Sequence, residues 1–356
     1  MRYIISGFVV GALISLFLFT GEPATEIYET FFSKISSFDF AQSNPSLKEV
    51  IVVPYGKIFY LVSPQGELFK KFDSTPDVYE FSAKGDYYIK YGYTGKSIEL
   101  NSSKGERFWN LLSREKPLIS YNGKMIFLLN GDHSKIRIID INGNVLGVGE
   151  ISGRLCTTIE FSELSDFGAC GFADGSYWFI DENGNVINKG NTPAGNVVKG
   201  MKVSSRGKFG LVHYGNADAD FLRVVNLEKK KWSDTKLGSA HHMKTALAID
   251  DRGFAACIDL KKFIVVDDDA DEVFSVAIPE KKAGQSSLSL IGNYFFLCYT
   301  KMTGGSQIFV FDTKGRLFFQ REFSAESFLN SYVRGDYVVV RGSDSLFSYR
   351  FHFPEN

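Results

Sequence analysis

A unit of about forty residues recurs along most of this chain, and the repeat restricts the possible folds more than any other feature. Each unit has an apolar residue, then Ser, then a turn that closes on Gly. The matching segments are Phe81-Ser82 to Gly85, Ile119-Ser120 to Gly123, Val203-Ser204 to Gly207 and Leu288-Ser289 to Gly292, with one change each at Phe161-Ser162 and at Ile249-Asp250 to Gly253. Such spacing indicates one supersecondary unit stacked many times.

A second signal accompanies the first, namely a β-branched or aromatic run that meets a tight turn. These runs occupy residues 59–62, 136–140, 177–181 and 308–312, and they precede Gln65-Gly66, Asn142-Gly143, Asn183-Gly184 and Lys314-Gly315. Asn-Gly tolerates the positive φ angles of a two-residue hairpin turn. Aromatic residues make up 15% of the chain, which favours pleated, half-buried strands. Each unit is therefore predicted to contain four antiparallel strands.

One four-stranded sheet cannot cover both of its faces, so neighbouring sheets must stack and the ring must close to hide its edges. The sequence predicts an all-β fold, a β-propeller of about eight four-stranded blades, over residues 48–356. Eight aromatic strands favour eight blades, and seven inner-strand motifs leave seven as the alternative. The closing sheet is expected to be shared between the chain ends, with residues 35–41 as a candidate for the missing strand.

The pattern Phe-Ser-x-x-Gly, followed by an aromatic strand that ends in Asp, resembles that of WD40-like and quinoprotein-like propellers. The resemblance covers almost everything after Lys48. The diagnostic Trp-Asp pair of the first group is missing, because Tyr177-Trp178 and Lys231-Trp232 do not supply it. The Trp repeat that docks a quinone is absent from the sequence as well. The resemblance implies a fold and leaves the activity open.

The N-terminal segment predicts that the protein is located at a membrane. No charged residue occurs from Ile4 to Phe19, and with Gly21 the apolar segment reaches the lower limit of the roughly 17 to 25 residues that cross a bilayer. We therefore predict a transmembrane signal-anchor helix at residues 1–21 that contacts the lipid bilayer through residues 4–19. A cleaved signal peptide is the alternative, but neither nearby cut has small residues at both required positions.

The charged residues on either side of the predicted span indicate which end of the chain faces the cytoplasm. Arg2 precedes the span, whereas Glu22, Glu26 and Glu29 follow it with only Lys34 as a counterweight. Cationic residues near a span stay on the cytoplasmic side. The sequence therefore predicts a single-pass protein of a bacterial-type inner membrane, with a cytoplasmic N-terminus and the propeller in the periplasm.

Residues 22–47 are predicted to form a juxtamembrane amphipathic helix and a linker. Ile27, Phe31, Ile35 and Phe38 recur at spacings of four, four and three, which is one face of a helix. This face is expected to pack on its own domain, to lie at the membrane surface, or to mediate self-association with a second copy.

The four cysteines are expected to be small buried hydrophobes. A hairpin centred on residues 163–166 sets Ile159, and not Cys156, opposite Cys170, and Cys257 and Cys298 lie in equivalent apolar strands. No disulfide is predicted.

The net charge argues against a nucleic-acid partner, and the pattern of acidic residues argues against a bound calcium ion. Lys and Arg number 40 against 41 Asp and Glu, which leaves a net charge of -1 and no field that attracts nucleic acid. The densest acidic run, residues 267–272, lacks the glycine and the alternating spacing of a calcium loop. A solvated turn is expected there, and no metal or cofactor is predicted.

The register of the inner strands gives candidates for a central channel. Two residues before the repeated Ser come Glu80, Glu160 and Lys202, and His241 and His242 precede another inner strand. Such side chains are predicted to line the channel, either as a ligand site or as a solvated, mutually paired ring.

Two long connections are candidates for partner binding, because insertions in repeat proteins gather on binding faces. The candidate residues are Tyr214, Asn216 and Asp218 in the first and Lys301 and Met302 in the second.

The leading hypothesis from the sequence is a membrane-tethered, extracytoplasmic propeller that acts as a protein-interaction scaffold for other envelope or membrane proteins, and not as an enzyme. Two alternatives stay open. One is a propeller enzyme (a lyase, a hydrolase or a quinone-dependent oxidoreductase) with His241 or His242 at the channel mouth. The other is a sensor of a small ligand.

Overall fold

Eight antiparallel sheets follow one another in the computed structural model, which describes residues 26–35, 50–92, 95–241, 244–278, 281–324, 327 and 330–353. Each sheet is a blade. The strands of blades 1 to 4 are β2 (Ile51–Tyr55), β3 (Ile58–Val62), β4 (Leu68–Asp73); β5 (Asp77–Phe81), β6 (Tyr87–Gly92), β7 (Ile98–Ser102), β8 (Arg107–Leu111); β9 (Lys116–Ile119), β10 (Met125–Leu129), β11 (Lys135–Asp140), β12 (Val145–Ser152); and β13 (Cys156–Phe161), β14 (Gly168–Phe172), β15 (Ser176–Ile180), β16 (Val186–Asn191).

Blades 5 to 8 complete the ring. Their strands are β17 (Val197–Val203), β18 (Phe209–Gly215), β19 (Asp220–Asn226), β20 (Lys231–Lys236); β21 (Leu247–Ile249), β22 (Ala255–Asp259), β23 (Lys262–Val266), β24 (Glu272–Ala277); β25 (Lys281–Ile291), β26 (Tyr294–Lys301), β27 (Ser306–Asp312), β28 (Leu317–Phe323); and β29 (Asn330–Arg334), β30 (Tyr337–Arg341), β31 (Ser345–His352) with β1 (Glu26–Lys34). First strands of neighbouring blades lie next to one another, so they surround the central channel. The predicted eight-bladed propeller is confirmed.

The ring closes through the two ends of the chain. Strand β1 pairs antiparallel with β31, from Glu26 opposite His352 to Lys34 opposite Ser345, and it forms the outer edge of blade 8. The expectation that the closing sheet is shared between the chain ends is confirmed, and its added strand is 26–34; residues 36–41 of the predicted strand lie outside the described residues.

The predicted amphipathic helix is wrong for residues 26–34, which form a strand. The exposed edge of β31 offers a full row of hydrogen-bonding groups, and pairing with that edge outweighs the local helical spacing. Ile27 packs on the core of the last blades, and Ile35 is fully buried against blade 1 and blade 8. These two residues therefore pack on their own domain and are not free for self-association. Phe38 and the rest of the linker to residue 49 lie outside the described residues.

The repeated Ser and Asp residues satisfy the backbone of the hairpin turns. The Oγ atoms of Ser82 and Ser120 accept the backbone N–H groups five residues later, at 3.1 and 3.0 Å. At the same end of the blade, in the turn between the third and fourth strands, Asp140 Oδ1 accepts the N–H groups of Asn142 and Asn144, both at 2.8 Å. Short polar side chains at these positions bond to their own turn, which explains why the motif recurs.

The acidic run at residues 267–272 forms the same kind of turn. Asp267 Oδ1 accepts the N–H groups of Asp269 and Asp271 at 3.1 and 3.0 Å, and Ala270 between them has a φ of 64°. Within the described part of the chain, no group of His, Cys, Asp or Glu side chains is arranged to hold a metal ion.

The hydrophobic core lies between the blades and contains all four cysteines, which are buried and free. Ile159 lies opposite Cys170, as the hairpin register predicts. Across the described ranges, no helix is long and apolar enough to cross a membrane, and the predicted span at residues 4–19 falls outside those ranges.

Candidate functional site

A cavity of about 420 Å³ opens in the central channel beside blades 8, 1 and 2. It lies at the end of the channel where the first strand of each blade turns into the second. Its polar lining includes Glu80, Tyr121, Glu163, Ser331 and Arg334, and its apolar lining includes Val52, Pro54, Phe59 and Phe81. Most of these side chains belong to the inner strands β2, β5 and β29, whereas Phe59 belongs to β3, and Tyr121 and Glu163 lie in the turns after β9 and β13.

Glu80 lines this cavity, as its register in the inner strand predicts. Burial raises the pKa of its carboxyl group to about 7, against a smaller lowering by the charge of Lys116. Among the described residues it has no hydrogen-bonding partner. Glu80 therefore carries a proton about half of the time at neutral pH, and its carboxyl group is open to a ligand.

Arg334 lines the same cavity and is only 6% exposed. Its Nη1 donates to the Tyr121 hydroxyl at 2.7 Å and its Nη2 to the Ala83 carbonyl, while the guanidinium carbon lies 5.3 Å from the centre of the Tyr121 ring. Its buried Nε has no acceptor. No carboxylate in the described part of the chain lies within ion-pair distance of Arg334. Sequence reasoning missed this residue because Val333-Arg334-Gly335 lacks the repeated Ser.

Two other predicted channel residues, Glu160 and Lys202, each form an ion pair with a residue that the sequence did not single out. Glu160 of blade 4 forms an ion pair with Lys244, which precedes β21 of blade 6, across the inner strand of blade 5. Lys202 Nζ lies 2.8 Å from Glu163 Oε1. Two ion pairs, Glu160 with Lys244 and Lys202 with Glu163, therefore neutralise charged side chains of the inner strands.

His241 does not reach the channel, and its prediction as a channel residue is wrong. It lies buried in the connection between blades 5 and 6, where its Nε2 is 2.9 Å from Asp259 Oδ1 and its backbone N–H donates to Asp220 Oδ2 at 3.0 Å. The Asp259 carboxylate offers the imidazole a stronger partner than channel water, and Asp220 holds the backbone of the same residue. His242 lies outside the described residues.

Asp220 is the centre of this buried network. It also accepts from Lys199 Nζ at 2.6 Å and lies 2.8 Å from His213 Nε2. Although burial opposes ionisation, these hydrogen bonds hold the pKa of Asp220 below its usual value. Burial lowers the pKa of His213. The network joins blades 5 and 6 and is a structural element of the fold.

Tyr214, predicted as a loop residue, is instead a buried residue of β18. Its ring stacks on Phe221 with 5.3 Å between the centroids, and the guanidinium of Arg223 lies 5.3 Å from the ring centre. The strand continues to Gly215, into the predicted connection, because β18 and β19 pair as far as Gly215 opposite Asp220.

Of the remaining predicted loop residues, Asn216, Asp218 and Met302 lie in turns and Lys301 is the last residue of a strand. Asn216 and Asp218 are exposed in the turn between β18 and β19, where Asn216 Oδ1 accepts the Asp218 N–H at 2.8 Å. Lys301 ends β26 and pairs with Glu322 at 2.6 Å, and Met302 beside it is 75% exposed. Both turns connect second to third strands, so they share the face of the ring opposite the Arg334 cavity.

A second concave surface, here called the rim groove, lies between the outer strands of blades 4 and 5. It has a volume of about 480 Å³ and contains Trp178, Lys189, Lys230 and Trp232. Trp232 is 56% exposed, and the buried Arg223 guanidinium lies 3.8 Å from the centre of its ring. Lys189 Nζ lies 6.0 Å from the ring centre of Trp178. Sequence reasoning considered both tryptophans only as a missing family motif.

Solved structures with the same fold include BamB from Moraxella catarrhalis, with 12% identity, 93% of this chain and 99% of that chain covered, and a TM-score of 0.61. The C-terminal WD40 domain of Sif2 matches with 12% identity, 94% and 100% coverage, and a TM-score of 0.58. The Dos1 propeller matches with 11% identity, 91% and 95% coverage, and a TM-score of 0.56. The chain has a WD40-like propeller fold. No family model and no curated protein sequence matches it. At these identities the likeness establishes the fold of this propeller and not its activity.

Proposed function

We propose that this propeller is a protein-interaction scaffold of a cell-envelope assembly, tethered to the membrane by residues 4–19 and working outside the cytoplasm. The observation that supports it best is the rim groove, where Trp232 stands 56% exposed on the outer strand of blade 5. Tryptophan and arginine are the residues that most often dominate binding energy at protein interfaces. A buried arginine that packs under an exposed tryptophan holds the indole ring ready for a partner.

The chemistry of the groove favours a partner segment with acidic residues. Lys189 and Lys230 are exposed along its walls. Strand β20 is the last strand of its sheet, so its outer edge presents backbone groups that pair with no other described strand. An extended segment can add to such an edge, with main-chain hydrogen bonds giving affinity and side-chain pockets giving specificity. We infer an extended acidic segment that places an apolar side chain against Trp232.

Site-specific photo-crosslinking in intact cells tests this proposal. A photoreactive residue replaces Trp232 in the full-length chain, and the matched control replaces Leu112, which is 86% exposed at the end of the outer strand of blade 2. We expect a discrete adduct from position 232 that disappears in the Lys189→Glu/Lys230→Glu variant, and no such adduct from position 112. Identical adduct patterns at both positions, or an adduct that survives charge reversal, would contradict the proposal.

Membrane tethering has a separate test. The full-length chain is expected to stay in the membrane fraction after alkaline carbonate extraction, and a chain without residues 1–21 is expected in the supernatant. Protease added from the periplasmic side of spheroplasts is expected to degrade the propeller. Protection of the propeller from that protease would contradict the extracytoplasmic location.

A further inference from the structure

We propose that the channel cavity beside Arg334 is a binding site for a small monocarboxylic acid with an apolar body. This site is distinct from the rim groove and does not depend on the scaffold role. Three features support it, namely an arginine without a counter-charge, a carboxyl group without a partner and an aromatic wall, and all three line the same cavity.

The positive charge of Arg334 is the first element. A guanidinium has five N–H donors. In the described structure two of its nitrogens donate, to Tyr121 and Ala83, and both acceptors are uncharged. Burying a cation without an opposite charge is costly, whereas a carboxylate beside it gains a strong charge-assisted hydrogen bond. A bound anion would supply the charge that the lining lacks.

The second element limits the ligand to one negative charge. Glu80 and Glu163 line the same cavity, and Glu163 is already paired with Lys202. Protonated Glu80 can donate one hydrogen bond to a ligand carboxylate, but the ionised form repels it. Arg334 is the one cation among the described lining residues of this cavity, which disfavours a doubly charged phosphate.

The third element is the apolar wall. Phe59 and Phe81 pack with 5.1 Å between their centroids, and Val52 and Pro54 extend the surface along β2. The cavity of about 420 Å³ falls within the usual range for small-molecule sites, which are mostly apolar with a few polar groups. The wall therefore fits an aromatic or aliphatic body attached to the carboxylate.

The titration of Glu80 gives this site a characteristic pH dependence. If only the protonated form accepts the ligand, the competent fraction falls about tenfold between pH 6 and pH 8 for a pKa of about 7, and the apparent affinity falls with it. The other titratable or charged groups that face Glu80 or line the cavity are Tyr79, Lys116, Tyr121, Glu163, Tyr332 and Arg334.

Isothermal titration calorimetry on the purified full-length chain tests the proposal. The probes are benzoate and hexanoate, the neutral analogues benzyl alcohol and hexanol, and inorganic phosphate. We expect a carboxylate to bind at pH 6 at least tenfold more tightly than its neutral analogue and than phosphate. Equal affinity for acid and alcohol, no binding of either acid, or tighter binding of phosphate would each overturn it.

Two variants assign the binding to this cavity. Arg334→Met is expected to abolish carboxylate binding, while Arg206→Gln, which changes an exposed arginine in a turn, is expected to leave it unchanged. Glu80→Gln keeps a neutral hydrogen-bond donor, so its affinity is expected to be equal at pH 6 and pH 8, where the wild type loses about tenfold. If Arg334→Met does not fold by circular dichroism, Glu80→Gln alone decides. A wild-type pH dependence that persists in Glu80→Gln would overturn the proposal.

Discussion

Glu80→Gln gives the sharpest test of the electrostatics in the channel. Burial raises the pKa of this carboxyl group from its ordinary value of 4.5 to about 7. Between these two pH values the folded protein holds a proton that the unfolded chain has released. The stability of the wild type therefore falls as the pH rises from about 4.5 to about 7, and the loss is complete above pH 7. Glutamine at this position does not titrate, so the stability of the variant does not fall over this pH range.

The size of the effect follows from the two pKa values. The rise from 4.5 to about 7 corresponds to about 3–4 kcal/mol, because one pKa unit is worth about 1.4 kcal/mol. Glu80 is partly accessible from the channel, and screening there reduces the expected value to about 1–2 kcal/mol. A chain of 356 residues has a large entropy of unfolding, so the change corresponds to a Tm shift of about 1–3 °C.

Differential scanning calorimetry at pH 5 and pH 8 measures this difference, with the exposed Glu228→Gln as control. We expect Glu80→Gln to melt within about 1 °C of the wild type at pH 5 and about 1–3 °C above it at pH 8. The control is expected to show the same small offset at both pH values. A Glu80→Gln variant that melts below the wild type at pH 8, or with an equal offset at both pH values, would refute the reasoning.

Three further predictions concern the fold. Asp220→Ala removes the shared acceptor of a buried network and is expected to lower the free energy of unfolding by about 3–5 kcal/mol. The exposed Asp218→Ala is expected to lower it by less than about 0.5 kcal/mol. Calorimetry of both variants checks this, and equal melting temperatures would contradict it. Deletion of residues 1–35 removes β1 and leaves the edge of β31 unpaired. Because an unpaired strand edge can pair with another chain, light scattering is expected to show concentration-dependent association. A stable monomer with an unchanged Tm would argue against closure by β1. Burial raises the pKa of the Cys156 thiol to about 11, and it raises the pKa values of the other three thiols as well. Because the thiolate is the reactive form, mass spectrometry is expected to show little alkylation by iodoacetamide at pH 8 until denaturant is added. Rapid labelling of the native chain would contradict the buried state.

The repeat made most of the fold predictable, because each hairpin is determined by residues close in sequence. The Ser of one turn and the Asp of the other bond to backbone groups two to five residues away, as with Ser82 and Asp140. The register that placed Ile159 opposite Cys170 depends on a single turn and is equally local.

Long-range contacts were not predictable in the same way. Residues 26–34 have helical spacing, yet the hydrogen bond from Thr30 to Ser348 joins positions 318 residues apart. The Arg334 site is similar, since its hydrogen bond to Tyr121 spans 213 residues. His241 and Tyr214 were misplaced because their burial depends on carboxylates and an arginine contributed by other strands. Only the closed ring brings these groups together.

Closure by β1 has a consequence for biosynthesis. Residue 26 leaves the ribosome long before residue 352, the position it faces in the finished sheet. The first strand therefore has no partner until residues 345–352 have been made. A product that stops before these residues cannot complete its last blade and leaves β1 without its partner strand, so ring closure requires that synthesis has passed residue 352.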